Sequence, residues 1–284
     1  MKIVEIDFQR QRDFGDKMNA TFIFITQNIA MLLKLLLYFA GPFILIASIF
    51  TAYYQKNILS LLAINMSNPF EILNKIFNFD YLMVLIFTIL AHLMLMNVTY
   101  SYISLYVQRG QSKITIEDVW NETKDNFIRV FTSVILSGIV IIISCIFLLF
   151  PGLYVAVAFS ILVIIIVHEK IDFFEASSRC FYLIRHHWWE TFGLIIVISI
   201  VTSFISYIFM IPQLVLTIFV TMGIVQKTLT ENTNIAFAVV TAFSTFGRTL
   251  LSVIPIIAIA FQYFSLVEEK ESPSLLKRID EINQ

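Results

Sequence analysis

Charged side chains are scarce in this chain. Of its 284 residues, 14% are Asp, Glu, Lys or Arg, while 58% are hydrophobic. A soluble fold of this length could bury a sizeable core, yet could not hide that much apolar surface from water. A mean hydropathy of +0.84 agrees. The net charge of −1 gives nucleic acid no electrostatic foothold. There are only two cysteines, Cys145 within an apolar run and Cys180 in a polar connector. They should sit at different depths, which excludes a disulfide and leaves both as free thiols. The chain has no Gly-rich phosphate loop, no Ser-His-Asp arrangement and no carboxylate pair inside its apolar runs. No enzyme and no cofactor are therefore expected. The first 30 residues lack a secretory h-region and a small-residue cleavage site, so nothing there is expected to be removed.

What the chain has instead is apolar runs of bilayer length, ~20 residues each. Six spans are predicted, at about 31–54, 81–107, 128–150, 152–168, 190–211 and 242–267. Of 19 Lys and Arg, only Lys56, Lys75, Lys227 and Arg248 fall on the side opposite the N-terminus, which leaves fifteen on its own side. Positive residues favour the cytoplasmic side, so both termini are expected there.

The chain also compares with itself. Shifting residues 172–191 back by 159 places Phe181 on Phe22 and Ile184 on Ile25; shifting them back by 61 places Phe181 on Trp120 and Trp188 on Phe127. Each stretch carries an apolar stripe at helical spacing with polar and basic residues on its other face. Short helices of this kind are expected to lie in the membrane interface. The closing spans end alike, in Val-Gln-Arg-Gly (107–110), Val-His-Glu-Lys (167–170) and Val-Glu-Glu-Lys (267–270). The predicted fold is all-α and polytopic, with six transmembrane helices as three hairpins, each preceded by a cytoplasmic-side amphipathic helix. The repeat-like units run about 13–110, 111–170 and 171–270, with a tail at 271–284. Two carry outer excursions, at 55–80 and 212–241. The middle one has a tight turn at Pro151 to Tyr154.

The stretch 174–193, FEASSRCFYLIRHHWWETFG, places Cys180, His186, His187 and Glu190 close together. A zinc site needs three or four convergent ligands, and one helical face here offers at most two. In the repeat register His186 and His187 fall on Gln27 and Asn28, then on Asp125 and Asn126. These slots ask for polarity rather than imidazole, so no metal is expected. Three other residues stand out as polar interior positions or contacts to lipid or a partner. His92 and Asn97 lie within the second span, where interhelical hydrogen bonding is their ordinary use. Arg248 lies within the sixth, about two turns (~9 Å) from Ala242; it could snorkel outward, but is expected to lie under a cap formed by the outer excursions, bound to backbone carbonyls, a lipid phosphate or a partner's acid. Pro212 is expected to close the fifth span and Pro255 to interrupt the sixth. Asn65-Met66-Ser67 and Asn121-Glu122-Thr123 match the glycan acceptor pattern by composition alone.

Residues 151–194, from PGLY through VHEK to the helix running into Trp and Phe-Gly, resemble the bacterial six-span membrane-domain family also found fused to glycerophosphodiester phosphodiesterases. In fused members, the resemblance implies, chemistry belongs to the soluble domain. This chain reaches Gln284 with only a short tail, so that hydrolase is expected to be missing. Two functions follow as expectations. One is a non-catalytic scaffold or accessory subunit of a membrane assembly, with lipids and other membrane proteins as partners. The other is a carrier of lipids or other amphiphiles, with a cavity between the hairpins. A water-accessible cavity reaching His92 and Asn97 would speak for the carrier, a packed apolar bundle for the scaffold.

Overall fold

The structure, a computed structural model, describes residues 6–62, 73, 76–110, 114–221 and 231–272. The described residues are about 90% helical, with no strand among them. The helices are α1 (Phe14–Leu35), α2 (Gly41–Leu62), α3 (Phe79–Arg109), α4 (Ile116–Phe147), α5 (Leu149–Phe159), α6 (Leu162–Glu169), α7 (Phe173–Ile184), α8 (Trp188–Thr221), α9 (Glu231–Leu251) and α10 (Val253–Glu271). Six stretches are long and apolar enough to cross a membrane: Phe14–Gln55, Phe79–Arg109, Ile116–Phe147, Leu149–Glu169, Trp188–Phe219 and Ile235–Glu271. In hydrocarbon a backbone must satisfy its own polar groups, which is why apolar runs of this length fold as helices.

Helix boundaries follow local chemistry. Thr115 and Asp118 cap α4 reciprocally: the Asp118 N–H donates to Thr115 Oγ1 at 3.2 Å, and the Thr115 N–H to Asp118 Oδ2 at 2.9 Å. Lys170 ends α6 in the left-handed region at φ 59°, and His186 at φ 77° separates α7 from α8. The other two stretches expected as separate interfacial helices are not separated. Residues 116–127 are the first turns of the 32-residue α4. α1 runs to Leu35 and passes through a π-helical segment, Leu36–Ala40, into α2. Pro42 supplies no N–H for the carbonyl four residues back, which fits a widened turn immediately before it.

Other prolines also depart from expectation. Pro212 lies inside α8, which continues to Thr221; losing one hydrogen bond costs less than exposing several backbone groups to hydrocarbon. Residues 214–221 of the expected outer excursion are thus helical, while 63–72 and 222–230 lie outside the described residues. Pro255 does mark an interruption. α9 ends at Leu251, and both the N–H and the hydroxyl of Ser252 donate to the Thr249 carbonyl, at 3.2 and 2.6 Å. The reversal expected at Pro151–Tyr154 falls instead at Leu148, which is extended (φ −161°, ψ 137°), with Pro151 and Gly152 in the first turn of α5. α4 and α5 approach closely here. A Cβ on Gly152 would lie 2.2 Å from Cys145 Sγ and 2.9 Å from its Cα and N.

Two compact units emerge. One contains residues 1–36, 95–201 and 253–284, the other 37–94 and 202–252. In the first, residues 6–13 enter the core ahead of α1. Phe8 is 2% exposed and stacks on Phe261 of α10 at 4.2 Å, with Phe24 and Tyr106 edge-on at 5.1 and 5.8 Å. The Arg12 N–H donates to Ser265 Oγ at 3.1 Å. The polar face of α1, expected toward water, turns inward. Lys17, Thr21 and Asn28 are all buried; Lys17 pairs with Glu190, and the Tyr102 hydroxyl donates to Asn28 Oδ1 at 2.7 Å.

The second unit packs α2 and α9 along small side chains. Ala47, Ser48 and Ala52 are buried on α2, and Thr241, Ser244 and Gly247 on α9. Short side chains let helix backbones approach closely where no hydrophobic effect drives association. Gly247 also faces α8, since a Cβ there would fall 2.2 Å from Phe209 Cδ1.

Candidate functional site

The sequence singled out His92, Asn97 and Arg248, and the structure brings two of them together. Within the second unit a half-open cavity of about 470 Å³ is lined by residues of α2, α3, α8 and α9. Its polar wall is His92, Arg248 and seven hydroxyl-bearing residues: Thr88, Thr202, Ser203, Ser206, Tyr207, Thr245 and Thr249. Ala47, Ala91 and Met210 supply the apolar remainder. No Asp or Glu is among the twelve lining residues.

Helical spacing assembles this wall. Thr88 and His92 are one turn apart on α3, Thr202 and Ser206 on α8, and Thr245 and Thr249 on α9, flanking Arg248. The His92 Nδ1–H donates to the Thr88 carbonyl at 2.9 Å. A carbonyl only accepts, so Nδ1 carries the hydrogen and Nε2 is left for a further partner. Ser206 Oγ donates to the Thr202 carbonyl at 2.7 Å and Thr249 Oγ1 to the Thr245 carbonyl at 2.8 Å. Thr202 is 9% exposed and its Oγ1 has no hydrogen-bond partner among the described residues.

Arg248 has neither an acid nor a carbonyl within bonding reach among the described residues, and its side chain is exposed rather than packed. Arg248 lies thirteen residues, about 20 Å along the helix, from Ile235, where the apolar stretch Ile235–Glu271 begins. Asn97 takes no part. It is fully buried in the first unit, where Nδ2 donates to the Thr123 carbonyl at 3.0 Å.

The Cys180–His–Glu stretch resolves differently. Cys180 is buried, and burial pushes its thiol well above the usual range, with the charge of Glu169 adding to the effect. His187 faces two carboxylates, with Nδ1 3.3 Å from Glu190 and Nε2 3.2 Å from Glu269, while His186 is exposed at the turn. Among the described residues no three His, Cys, Asp or Glu side chains are placed to share a metal ion. Nearby, Arg179 clamps two acids. Its Nε donates to Glu169 at 2.8 and 2.9 Å, one terminal nitrogen reaches Glu271 Oε2 at 2.9 Å, and the other also bonds that carboxylate. The Tyr263 hydroxyl donates to Glu169 at 2.7 Å. The bond to Glu271 raises the Arg179 guanidinium above its already high range.

No family model, curated protein or solved structure matches this chain. The site therefore stands on its own geometry.

Sequence reasoning missed the hydroxyl wall. Its signal was present in two runs, Thr202-Ser203 with Ser206-Tyr207, and Thr241 through Thr249, where hydroxyls recur every three or four residues inside apolar helices. The Glu169–Arg179–Glu271 clamp was missed because Arg179 and Glu271 are 92 residues apart.

Proposed function

We propose that this chain is a non-catalytic, multi-pass protein of a bacterial cytoplasmic membrane that takes the polar end of an amphiphile into the cavity around His92 and Arg248. The carrying observation is the cavity itself. A packed structural bundle has no use for an unpaired arginine, a half-free imidazole and a run of hydroxyls around about 470 Å³ of space. The interruptions at Leu36–Ala40 and Ser252 lend support, since broken helices accompany binding sites in membrane carriers.

Filling the cavity tests this reading. Ser203→Phe and Ser206→Phe should each strip co-purifying lipid from the protein isolated in mild detergent, read by native mass spectrometry, without loss of the folded species. An unchanged lipid complement in both variants would remove the amphiphile from the proposal.

A scaffold role is the second reading. It is favoured by how little of two helices is covered: the most apolar windows of Ile116–Phe147 and Trp188–Phe219 are 11% and 17% buried, against 67% in Ile235–Glu271. Those faces suit lipid or the helices of another membrane protein.

The same proposal includes the hairpin and interfacial-helix layout, the three repeats, and the likeness of residues 151–194 to the six-span family. Burial supports the repeat register: Thr21, Val119 and Cys180 are all fully buried, as are Leu32, Val130 and Thr191, while Ile23, Asn121 and Tyr182 are exposed. Orientation rests on the fifteen Lys and Arg that share the N-terminal side. Single cysteines introduced as Lys113→Cys or Lys277→Cys should resist an impermeant thiol reagent in intact cells, and Asn65→Cys should react. These three positions lie outside the described residues, so the labelling is independent evidence. Reaction at 277 from outside would overturn both the orientation and the six-span count.

A further inference from the structure

An arginine within an apolar helix normally finds an acid, because an unpaired charge there is costly. Arg248 has none within bonding reach among the described residues. Three further features surround it. Thr202 Oγ1 is unpartnered although its residue is nine-tenths buried. His92 has one ring nitrogen uncommitted. The lining carries hydroxyls from three different helices. Arg248 only donates and the hydroxyls can turn to donate, while His92 Nε2 is left as an acceptor. Acceptors with negative charge are what the wall lacks.

We propose that the cavity is an oxyanion site that selects a phosphate-bearing anionic headgroup, with Arg248 as the counter-charge and His92 and Thr202 as additional contacts. The proposal rests on the amphiphile reading above and adds the chemical class of the occupant. A guanidinium matches two phosphate oxygens with parallel hydrogen bonds. A phosphate also offers acceptors in more than one plane, which suits donors converging from α3, α8 and α9 better than a planar carboxylate does. His92 Nε2 can accept from a hydroxyl of the headgroup beside the phosphate. A cationic or zwitterionic headgroup fits less well, because its ammonium meets no Asp or Glu in the lining. The volume, about 470 Å³, lies in the range of small-ligand sites. It accommodates a headgroup and its backbone while acyl chains stay outside. Free inorganic phosphate would present the same oxygens.

The test uses the full chain in phosphatidylcholine nanodiscs, titrated with short-chain phosphatidylglycerol, short-chain phosphatidylcholine and inorganic phosphate. The anionic lipid should bind selectively. Arg248→Gln should weaken it by about tenfold or more, the loss of one charge-assisted bidentate contact, and leave phosphatidylcholine unaffected. Thr202→Val, nearly isosteric, should weaken the same lipid by a smaller factor while melting like the parent protein. Competition by inorganic phosphate with no binding of either lipid would support the oxyanion site, assign it to the free anion and overturn the amphiphile reading. Equal affinity for both lipids, unchanged in Arg248→Gln, would overturn the charge selectivity and leave the amphiphile reading standing. No binding of any of the three to folded protein would overturn both.

Discussion

Arg179→Leu should lower the stability of the detergent-solubilised protein by about 2–3 kcal/mol, one of the two largest effects of any single change proposed for it. Arg179 is the only cation bonded to both Glu169 and Glu271 among the described residues, and the three side chains are 24%, 21% and 34% exposed. Removing one member of a fully buried ionic group typically costs about 3–5 kcal/mol, because the remaining charges keep their desolvation penalty without their partner. Partial exposure here lets water screen the carboxylates, hence the lower figure. Leucine would leave Glu169 and Glu271 as like charges with, among the described residues, only the Tyr263 hydroxyl bonded to Glu169. Lysine should be intermediate, since an ammonium cannot reproduce the planar fork that serves two carboxylates at once. The decisive comparison is thermal unfolding of Arg179→Leu against Arg179→Leu with Glu169→Gln and Glu271→Gln. Neutralising the acids should recover most of the loss. A triple variant no more stable than the single one would show that the arginine stem, not its charge, matters.

Gly152→Ala is expected to cost about 1–3 kcal/mol, at the upper end of ordinary overpacking. Most glycine-to-alanine changes in helices stabilise, because alanine loses less chain entropy. Here the added carbon would lie 2.9 Å from the Cα and N of Cys145, so backbone has to move, not merely a side chain. The second variant Cys145→Gly removes the 2.2 Å overlap with Sγ but leaves the two backbone contacts. Rescue should therefore be partial, measured as detergent thermostability of the single and double variants. Full tolerance of alanine would mean that α4 and α5 are further apart than the structure places them.

How much of this was legible beforehand depends on how strongly each residue contrasts with its neighbours. His92 and Arg248 stood out because imidazole and guanidinium are rare inside apolar runs. Thr202, Ser203, Thr245 and Thr249 did not, because single hydroxyls satisfy themselves on the preceding turn and so pass as ordinary helix residues. Span count and helix type were readable from hydropathy. Helix ends were less so: Pro212 looked like a terminus, yet a helix in hydrocarbon resists ending where the freed carbonyls would find no water. The face of α1 shows a different limit. A 3.6-residue period reveals that Met18, Phe22, Ile25 and Ile29 differ from Lys17, Thr21 and Asn28, but not which set faces the core. The answer came from partners far along the chain, Glu190 and Tyr102.

The stacking of Phe8 on Phe261 puts a clock on assembly. A ribosome completes residue 8 long before residue 261, so the opening segment leaves the exit tunnel without its binding surface. It must wait at the membrane, apolar side chain uncovered, until α10 has been synthesised and released beside it. Closure of the first unit therefore follows synthesis of α10 and carries a high loop-closure cost. Chains arrested before Phe261 would keep Phe8 without its partner ring, the kind of uncovered apolar surface that makes incomplete chains prone to misassembly.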